Sequence, residues 1–365
     1  MNKTIFYDMS IESGAKMVEM FGYELPWTFA AGGEAEHAAT RENVTCVDLG
    51  YMAKFHVTGA DASKFLENLL TADVAKLREG QIAYTCLCRE DGVVLDDATV
   101  WKFGDADFML ITGDEADYDW IKTQASKYAV NIENKTHTNG ALQVQGPNAH
   151  PHMKKVTGLE PAGIKYYNFK VLNIDGHRLV VGKMSFTGSG GFEYHVDAPD
   201  ARWLWDTLAK AGREYNMLQI GQCALESTRQ EAGLLLVGNE HDKNVTPMEA
   251  GVAQVVKVNK PAFIGREALV KAMKSGISRR IVWMRLADKT VAKTGDAIMF
   301  QGQKVGVVTS GSYSGTAKKG TVVGSVNVGQ IFPGQSYAVV TAEGERQAGI
   351  SLVPLYDPTH EIRRR

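Results

Sequence analysis

Two adjacent acids, Asp96 and Asp97, stand in the middle of a run that otherwise reads as a buried strand. They lie in Gly80–Trp101, GQIAYTCLCREDGVVLDDATVW, where Glu90-Asp91-Gly92 separates two β-rich segments and the glycine suits a tight hairpin connection. The acids are therefore predicted mid-strand. Side chains alternate along a strand, so Val94, Asp96, Ala98 and Val100 share one face, and Val93, Leu95, Asp97, Thr99 and Trp101 share the other. Both faces look apolar, and an ionised carboxylate is costly to bury without a partner. At least one of the two must line a polar cavity or bind a specific donor. The pair points apart, which rules out a proton shared between them. Periodicity alone leaves two readings open: a ligand-binding or proton-handling acid, or one exposed acid beside one that ties down a loop.

Other chemistry-bearing residues are scattered. Cys46, Cys86, Cys88 and Cys223 form neither a disulfide framework nor a two-plus-two zinc pattern, and Cys86 with Cys88 on one strand face reads as core. The nine histidines include no HExxH or comparable spacing, and His150 with His152 beside Pro151 reads as a loop pair. No metal site is expected.

The elements that must position the acids follow from pattern. Ile11 to Phe21 reads as a short amphipathic helix, followed by a turn, FGYELPW, in which Pro26 fixes an aromatic corner and Trp27 and Phe29 need dry surroundings. EAEHAATRENV reads as helix, VDLGYMAKFHVTG as strand, and GADASKFLENLLTADV as a helix started by Asp61 with Phe65, Leu66, Leu69 and Leu70 on one side. Strands and helices continue to alternate through ADFMLITG, DEADYDWIKTQASKY, VNIEN and GALQVQGP, which predicts a mixed sheet with helices. A second, similar ordering begins near Tyr166. After IGREALVKAMKSGI the texture changes to short strands between glycine turns, an antiparallel barrel or sandwich of about 85 residues.

With 365 residues the chain suggests two or three packed domains. Forty basic residues against 42 acidic ones, net charge −2, give no polyanion signature, so no nucleic-acid partner is expected. No window approaches the roughly 20 apolar residues of a membrane span, and the N-terminus lacks the apolar stretch of a signal peptide. The chain reads as cytoplasmic, with no membrane partner.

Taken together, GAKMVEMFGYELPW, FLENLLTADVAKLREGQIAYTCLCREDGVVLDDATVW, LQVQGPNA, TGSGGFEYHV, RQEAGLLLVGNEHDKNVTPMEAG, FIGREAL and VGVVTSGSYS resemble, in order over more than 300 residues, the T-protein family of the glycine cleavage system. That family includes tetrahydrofolate-dependent aminomethyltransferases and demethylases. The resemblance implies an α+β, three-domain cloverleaf: two mixed α/β folate-binding domains and a C-terminal antiparallel β-barrel. The division expected is 1–50 with 140–275 for a discontinuous folate-binding region, 51–139 for the domain carrying the Asp97 hairpin, and 276–365 for the barrel. Tetrahydrofolate as co-substrate would lie in the central opening, with Asp97 as the catalytic acid beside its nitrogens and Asp96 as structural partner. A carboxylate in a low-dielectric pocket can orient the folate and handle a proton there.

Glu193 matches the family acid that accepts the two parallel N–H donors of the pterin edge; by pattern alone the better reading is a solvated strand residue. Arg229 matches an arginine that either pairs with Glu231 or faces the folate. Tyr84, Met52 and Tyr167 match positions lining the pocket, where aromatics can stack on the ligand.

Four departures fall at expected pocket positions. T-proteins carry Asp-Val-Ser-His-Met where this chain has Asp48-Leu49-Gly50-Tyr51-Met52, and Tyr-Thr-Gly-Glu-Asp-Gly-Phe-Glu where it has Phe186-Thr187-Gly188-Ser189-Gly190-Gly191-Phe192-Glu193. Thr112 replaces an asparagine, and Gln254 a tryptophan. Folate acids retained beside altered walls suggest that folate chemistry is kept and the one-carbon donor differs. Trp27, Phe29, Tyr51 and Phe186 would then bind a small methylated sulfonium, amine or methoxy donor, by cation–π attraction or stacking. The leading expectation is a demethylase moving a methyl group to tetrahydrofolate. The alternative is an aminomethyltransferase acting on a lipoyl carrier protein. A third class, non-enzymatic folate binding, is expected to carry a Lys-Gly-Cys-Tyr-type motif, where this chain has Pro261-Ala262-Phe263-Ile264-Gly265-Arg266-Glu267.

Overall fold

A computed structural model describes residues 1–241 and 244–364. Two mixed α/β layers and a closed barrel make up the chain, as the alternation of elements and the later change of texture lead one to expect.

The acid doublet sits in a five-stranded antiparallel sheet ordered Ile82–Cys88, Val94–Gly104, Asp107–Thr112, Ala53–Thr58, Asn131–Asn134. The first two strands form the predicted hairpin, with Gly92 at φ 80° in its turn. One face of this sheet is apolar: Phe55, Val57, Ala98, Val100, Phe108 and Leu110 pack with Phe65, Leu66 and Leu69 of the helix Ala62–Leu69 and Ile121 of the helix Asp117–Ala125. Burying several such side chains contributes about 1.5–3 kcal/mol each. That face fixes which way each acid points.

A six-stranded sheet faces it, ordered Phe169–Ile174, His177–Lys183, Gly191–Asp197, Asn139–Gln145, Thr45–Asp48, Leu218–Gln219, antiparallel but for the last pair. Leu142, Val144, Phe192, Tyr194 and Val196 alternate onto the face covered by the helices Ala149–Thr157 and Ala201–Gly212. Gln143, Glu193 and His195 therefore point the other way, towards the five-stranded sheet. The two sheets meet at Trp101, whose ring contacts Phe169 at 5.2 Å and His195 edge-on at 5.0 Å between centroids. Opposite it stands Gly182, where a Cβ would lie 2.3 Å from the indole. No larger residue fits without separating the sheets.

The barrel closes as Arg279–Leu286, Lys319–Asn327, Gln303–Ser314, Ala297–Phe300, Ser336–Thr341, Gly344–Ser351, the last pairing with the first. It is joined to the rest by the helix Gln222–Glu231, whose Gln230 accepts from Ser312 at 3.1 Å and whose Glu231 accepts from Ser314. Glu231 also receives Arg41 at 2.9 Å and lies 3.4 Å from His37. Burial opposes its ionisation, but the His37 contact, Arg41 and Ser314 outweigh this and hold the carboxyl at about 2, below its ordinary 4.5. A depressed carboxyl contributes stability that is complete above pH 4.5 and lost as the pH falls towards 2. The stability gap between wild type and Glu231→Gln should shrink by about 2 kcal/mol from pH 5 to pH 3 in urea titrations. A gap independent of pH would show the pair to be unimportant.

Three local expectations are corrected. Ile11–Phe21 is not a helix: a shorter helix, Tyr7–Glu12, ends before Gly14 at φ 80°, and Lys16–Met20 and Tyr23–Thr28 pair as a hairpin turning at Phe21-Gly22. Pro26 lies in that two-stranded ribbon, where an edge position tolerates a missing N–H. His150-Pro151-His152 is not a loop but the first turn of the helix Ala149–Thr157, where proline breaks no hydrogen bond. Trp27 finds no dry site and is 40% exposed.

Candidate functional site

Between the facing sheets lies a cavity with an empty volume of about 970 Å³, part of it open to solvent. Asp97 and Thr99 line one side, Gln143 and Glu193 the other, with Met52, Tyr84, Tyr167 and Phe186 among the walls. Tyr51 stacks on Phe21 at 5.3 Å and 17°, and both rings face the cavity. Phe21 adopts φ 55°, unusual for a side chain with a Cβ, at the hairpin turn that brings its ring to the cavity.

Strand alternation separates the two acids as their positions require. Asp96 is buried on the core side and accepts three backbone N–H groups: Asp97 at 2.7 Å, Gly113 at 2.8 Å and Asp114 at 3.1 Å. It is the acid that ties down a loop. Burial, then the neighbouring Asp117 and Asp97 carboxylates, push its pKa well up. Asp97 turns to the cavity, 20% exposed, with Oδ1 2.9 Å from Nε2 of His241. Burial and then the Asp97 charge push the Tyr84 phenol up, keeping it a neutral hydroxyl beside the carboxylate.

Glu193 is 6% exposed, not solvated. Its Oε1 lies 2.8 Å from His195 Nε2, and its Oε2 accepts from Gln143 Nε2 at 3.1 Å. Gln143 and Glu193 are register partners on adjacent strands, so the backbone itself brings them together. Above them, Asp48 holds the Gly50–Met52 turn by accepting from Thr4 at 2.5 Å and from Gly50 N–H at 2.7 Å. Buried Lys54 donates to the carbonyls of Gly50 and Met52 at 3.1 and 2.7 Å, and burial pushes its pKa down to about 8. These contacts fix the wall that carries Tyr51 and Met52.

Of the twelve residues singled out for site roles, Asp97, Glu193, Tyr84, Met52, Tyr167, Tyr51 and Phe186 converge on this cavity. Five do not line it. Arg229 is fully buried, and all five of its N–H groups are used: on Glu226, on Glu240 at 2.7 Å, on the Leu234 carbonyl at 3.0 Å and on Ser310 at 2.8 Å. No donor is left for a ligand, and Glu231 is not its partner. Gln254 is exposed, Trp27 projects outward, Phe29 is buried elsewhere, and Thr112 is buried with its hydroxyl on the Asp114 carbonyl at 3.1 Å.

Sequence reasoning missed three contributors. Leu234–Val237 forms an apolar wall, signalled only by its LLLV run after a helix. Phe21 was hidden by the misread helix. His241 stands 144 residues from Asp97, with no spacing to announce it. Asp96, Asp97 and His241 each bring one ligand-capable atom within 4.8 Å of the others, the one such group of three among the described residues. Hydrogen bonding accounts for it, since the Asp96 oxygens are already held by backbone donors. Cys86 and Cys88 are core residues whose thiols are pushed up by burial.

Among the described residues no helix is long and apolar enough to cross a membrane. Residues 6–260 match the family model described as the GCVT N-terminal domain, and residues 279–357 match that of the glycine cleavage T-protein C-terminal barrel domain. The chain is similar to an aminomethyltransferase of Halothermothrix orenii, 31% identical over 343 residues and covering 93% of this chain and 96% of that one. A Clostridium botulinum aminomethyltransferase is 36% identical over 314 residues, 84% of each chain. The crystal structure of the glycine cleavage system aminomethyltransferase T from Bartonella henselae superposes with a TM-score of 0.90 at 25% identity, over 98% of both chains. The paired sheets, the closed barrel and a sequence match running through both place the chain in the glycine cleavage T-protein family of aminomethyltransferases.

Proposed function

We propose that the chain transfers a one-carbon unit to tetrahydrofolate in the cavity between the sheets, and that the unit is an aminomethyl group delivered by a lipoyl carrier protein. The observation that carries the reading is the convergence of Asp97 and Glu193 on one cavity from opposite sheets. The names of the relatives support aminomethyl transfer over the demethylation that the altered pocket walls suggested.

Tetrahydrofolate would supply the nitrogen that accepts the one-carbon unit. The cavity suits such a ligand by its aromatic walls and its two acids. Glu193, braced by His195 and Gln143, would accept the paired N–H donors of the pterin edge. Tyr84, Tyr167 and Met52 would pack against the rings. Asp97 would hold the ligand in register and take up or return a proton at the reacting end. Phe21, Tyr51 and Phe186 would supply apolar wall beside the reacting atoms.

A second reading is favoured by one observation. The Phe21–Tyr51 stack beside Phe186 offers aromatic surface that suits a methylated cation or an aryl ether. On that reading a small donor gives its methyl group to tetrahydrofolate, with positioning as the main source of acceleration.

The deciding experiment is mass spectrometry of tetrahydrofolate after incubation with the protein and either an aminomethyl-loaded lipoyl carrier or a panel of methylated donors. Methylene-tetrahydrofolate with the carrier is expected, together with ammonia from the amino group and the dihydrolipoyl thiol freed when the C–S bond breaks. 5-Methyltetrahydrofolate with one small donor establishes demethylation, and folate binding with neither product marks a binding protein. Glu193→Gln should weaken tetrahydrofolate binding by about 1–3 kcal/mol, measured calorimetrically, because it removes a charged acceptor. An unaltered affinity puts the pterin elsewhere.

A further inference from the structure

We propose that His241 is the positioning residue of Asp97, fixing the plane of its carboxylate and directing the second oxygen into the cavity. The role in turnover rests on the transfer reading above; the dyad itself stands on geometry. Nε2 of His241 lies 2.9 Å from Oδ1 of Asp97. The ring is 1% exposed, and its Nδ1 is buried with no partner among the described residues. A neutral imidazole has one N–H and one lone pair. Placing the N–H at Nε2 puts it on the carboxylate and leaves only a lone pair at the unpartnered Nδ1. The opposite tautomer would strand a buried donor and set a lone pair against the carboxylate, so the arrangement selects the Nε2–H form.

The chain holds the ring there. The segment that carries it bridges Val237 to His241, with Gly238 N–H on the His241 carbonyl at 3.2 Å. Its Glu240 is locked by Arg229, Thr309 and Ser310, and its Leu234–Val237 part is the cavity's apolar wall. One loop thus carries both a wall of the cavity and the partner of the acid in it.

The other titratable groups around the pair are Asp96, with Asp117 beyond it, on the core side; Tyr84 and Cys86 on the adjacent strand; Tyr167 and Glu193 in the cavity; and Glu240, neutralised by Arg229. Asp242 and Lys243 lie outside the described residues. Most of these neighbours are acids or phenols, which oppose charge on Asp97. The imidazole N–H supports it.

The test uses the full chain, with His241→Leu to remove the donor and His241→Gln to keep an amide donor. The Asp97 carboxyl carbon is titrated by NMR without folate, and kcat and KM are followed against pH. In His241→Leu the carboxyl titration and the acid limb of kcat should both move up by about one pH unit, as for loss of one hydrogen bond to a charged group. At the pH optimum kcat should fall about tenfold with the tetrahydrofolate KM within about threefold. His241→Gln should recover most of both. A folded His241→Leu chain that titrates and turns over like wild type overturns the proposal. If that variant does not fold, the ¹⁵N shifts of His241 in the wild type decide: an Nδ1–H tautomer overturns it, and an Nε2–H tautomer upholds it. Should the wild type bind no tetrahydrofolate, the transfer reading falls, while the carboxyl titration still decides the dyad.

Discussion

Asp97→Asn is expected to lower turnover by roughly 10²–10⁴-fold while leaving tetrahydrofolate affinity within about tenfold. The substitution is close to isosteric, and the asparagine carbonyl can still accept from His241 Nε2, so the strand and the loop opposite should stay in place. What changes is the atom facing the cavity, where an amide N–H₂ replaces a carboxylate oxygen. It can neither take up a proton nor offset positive charge that develops at the reacting end of the ligand. That loss is felt in the transition state more than in binding, so kcat falls and KM moves little. Single-turnover kinetics with direct folate titration would separate the two. Undiminished turnover would return Asp97 to the role of a structural acid.

Arg229→Leu should cost about 3–5 kcal/mol of stability, read from urea unfolding, because it leaves Glu240 fully buried and Glu226 largely buried without their cation. The damage would not be confined to the helix Gln222–Glu231. Glu240 also receives Thr309 and Ser310 of the barrel, so the same substitution loosens the join between barrel and cavity wall. A double variant, Arg229→Leu with Glu240→Gln, should recover part of the loss by removing the stranded charge. If the folded fraction of the single variant instead bound folate far more weakly at wild-type stability, Arg229 would be a ligand residue after all.

These two residues also mark what the sequence could disclose. Asp97 was legible in two steps: a strand's period of two put the acids on opposite faces, and the resemblance chose Asp97 as the one beside the ligand. Tyr84, Tyr51, Phe186 and Glu193 fell into place through a resemblance spanning the chain, and the barrel through its glycine-punctuated strands. Arg229 was misassigned because only its local partners are visible from a helix. Glu226 lies one turn away, but Glu240 and Ser310 are brought in by tertiary packing. His241 was invisible for the same reason. The first thirty residues failed differently: Ile11, Ala15, Val18 and Phe21 imitate a helical stripe, and only the backbone at Gly14 and the pairing of Lys16–Met20 with Tyr23–Thr28 reveal a ribbon. Trp27 shows that an aromatic residue in an apolar stretch can still end up on the surface.

Where Trp101 bears on Gly182, the largest side chain meets the one residue that has none, and the separation of the two sheets becomes a fixed gauge. Loops can be exchanged at the rim without altering it. The shape of the cavity is therefore adjusted by wall residues such as Phe21, Tyr51 and Phe186, and not by the width of the gap. Gly182→Ala would test the gauge itself: by prying the sheets apart beside Glu193, its register partner, it would move Asp97 away from Glu193 and detune the two acids together.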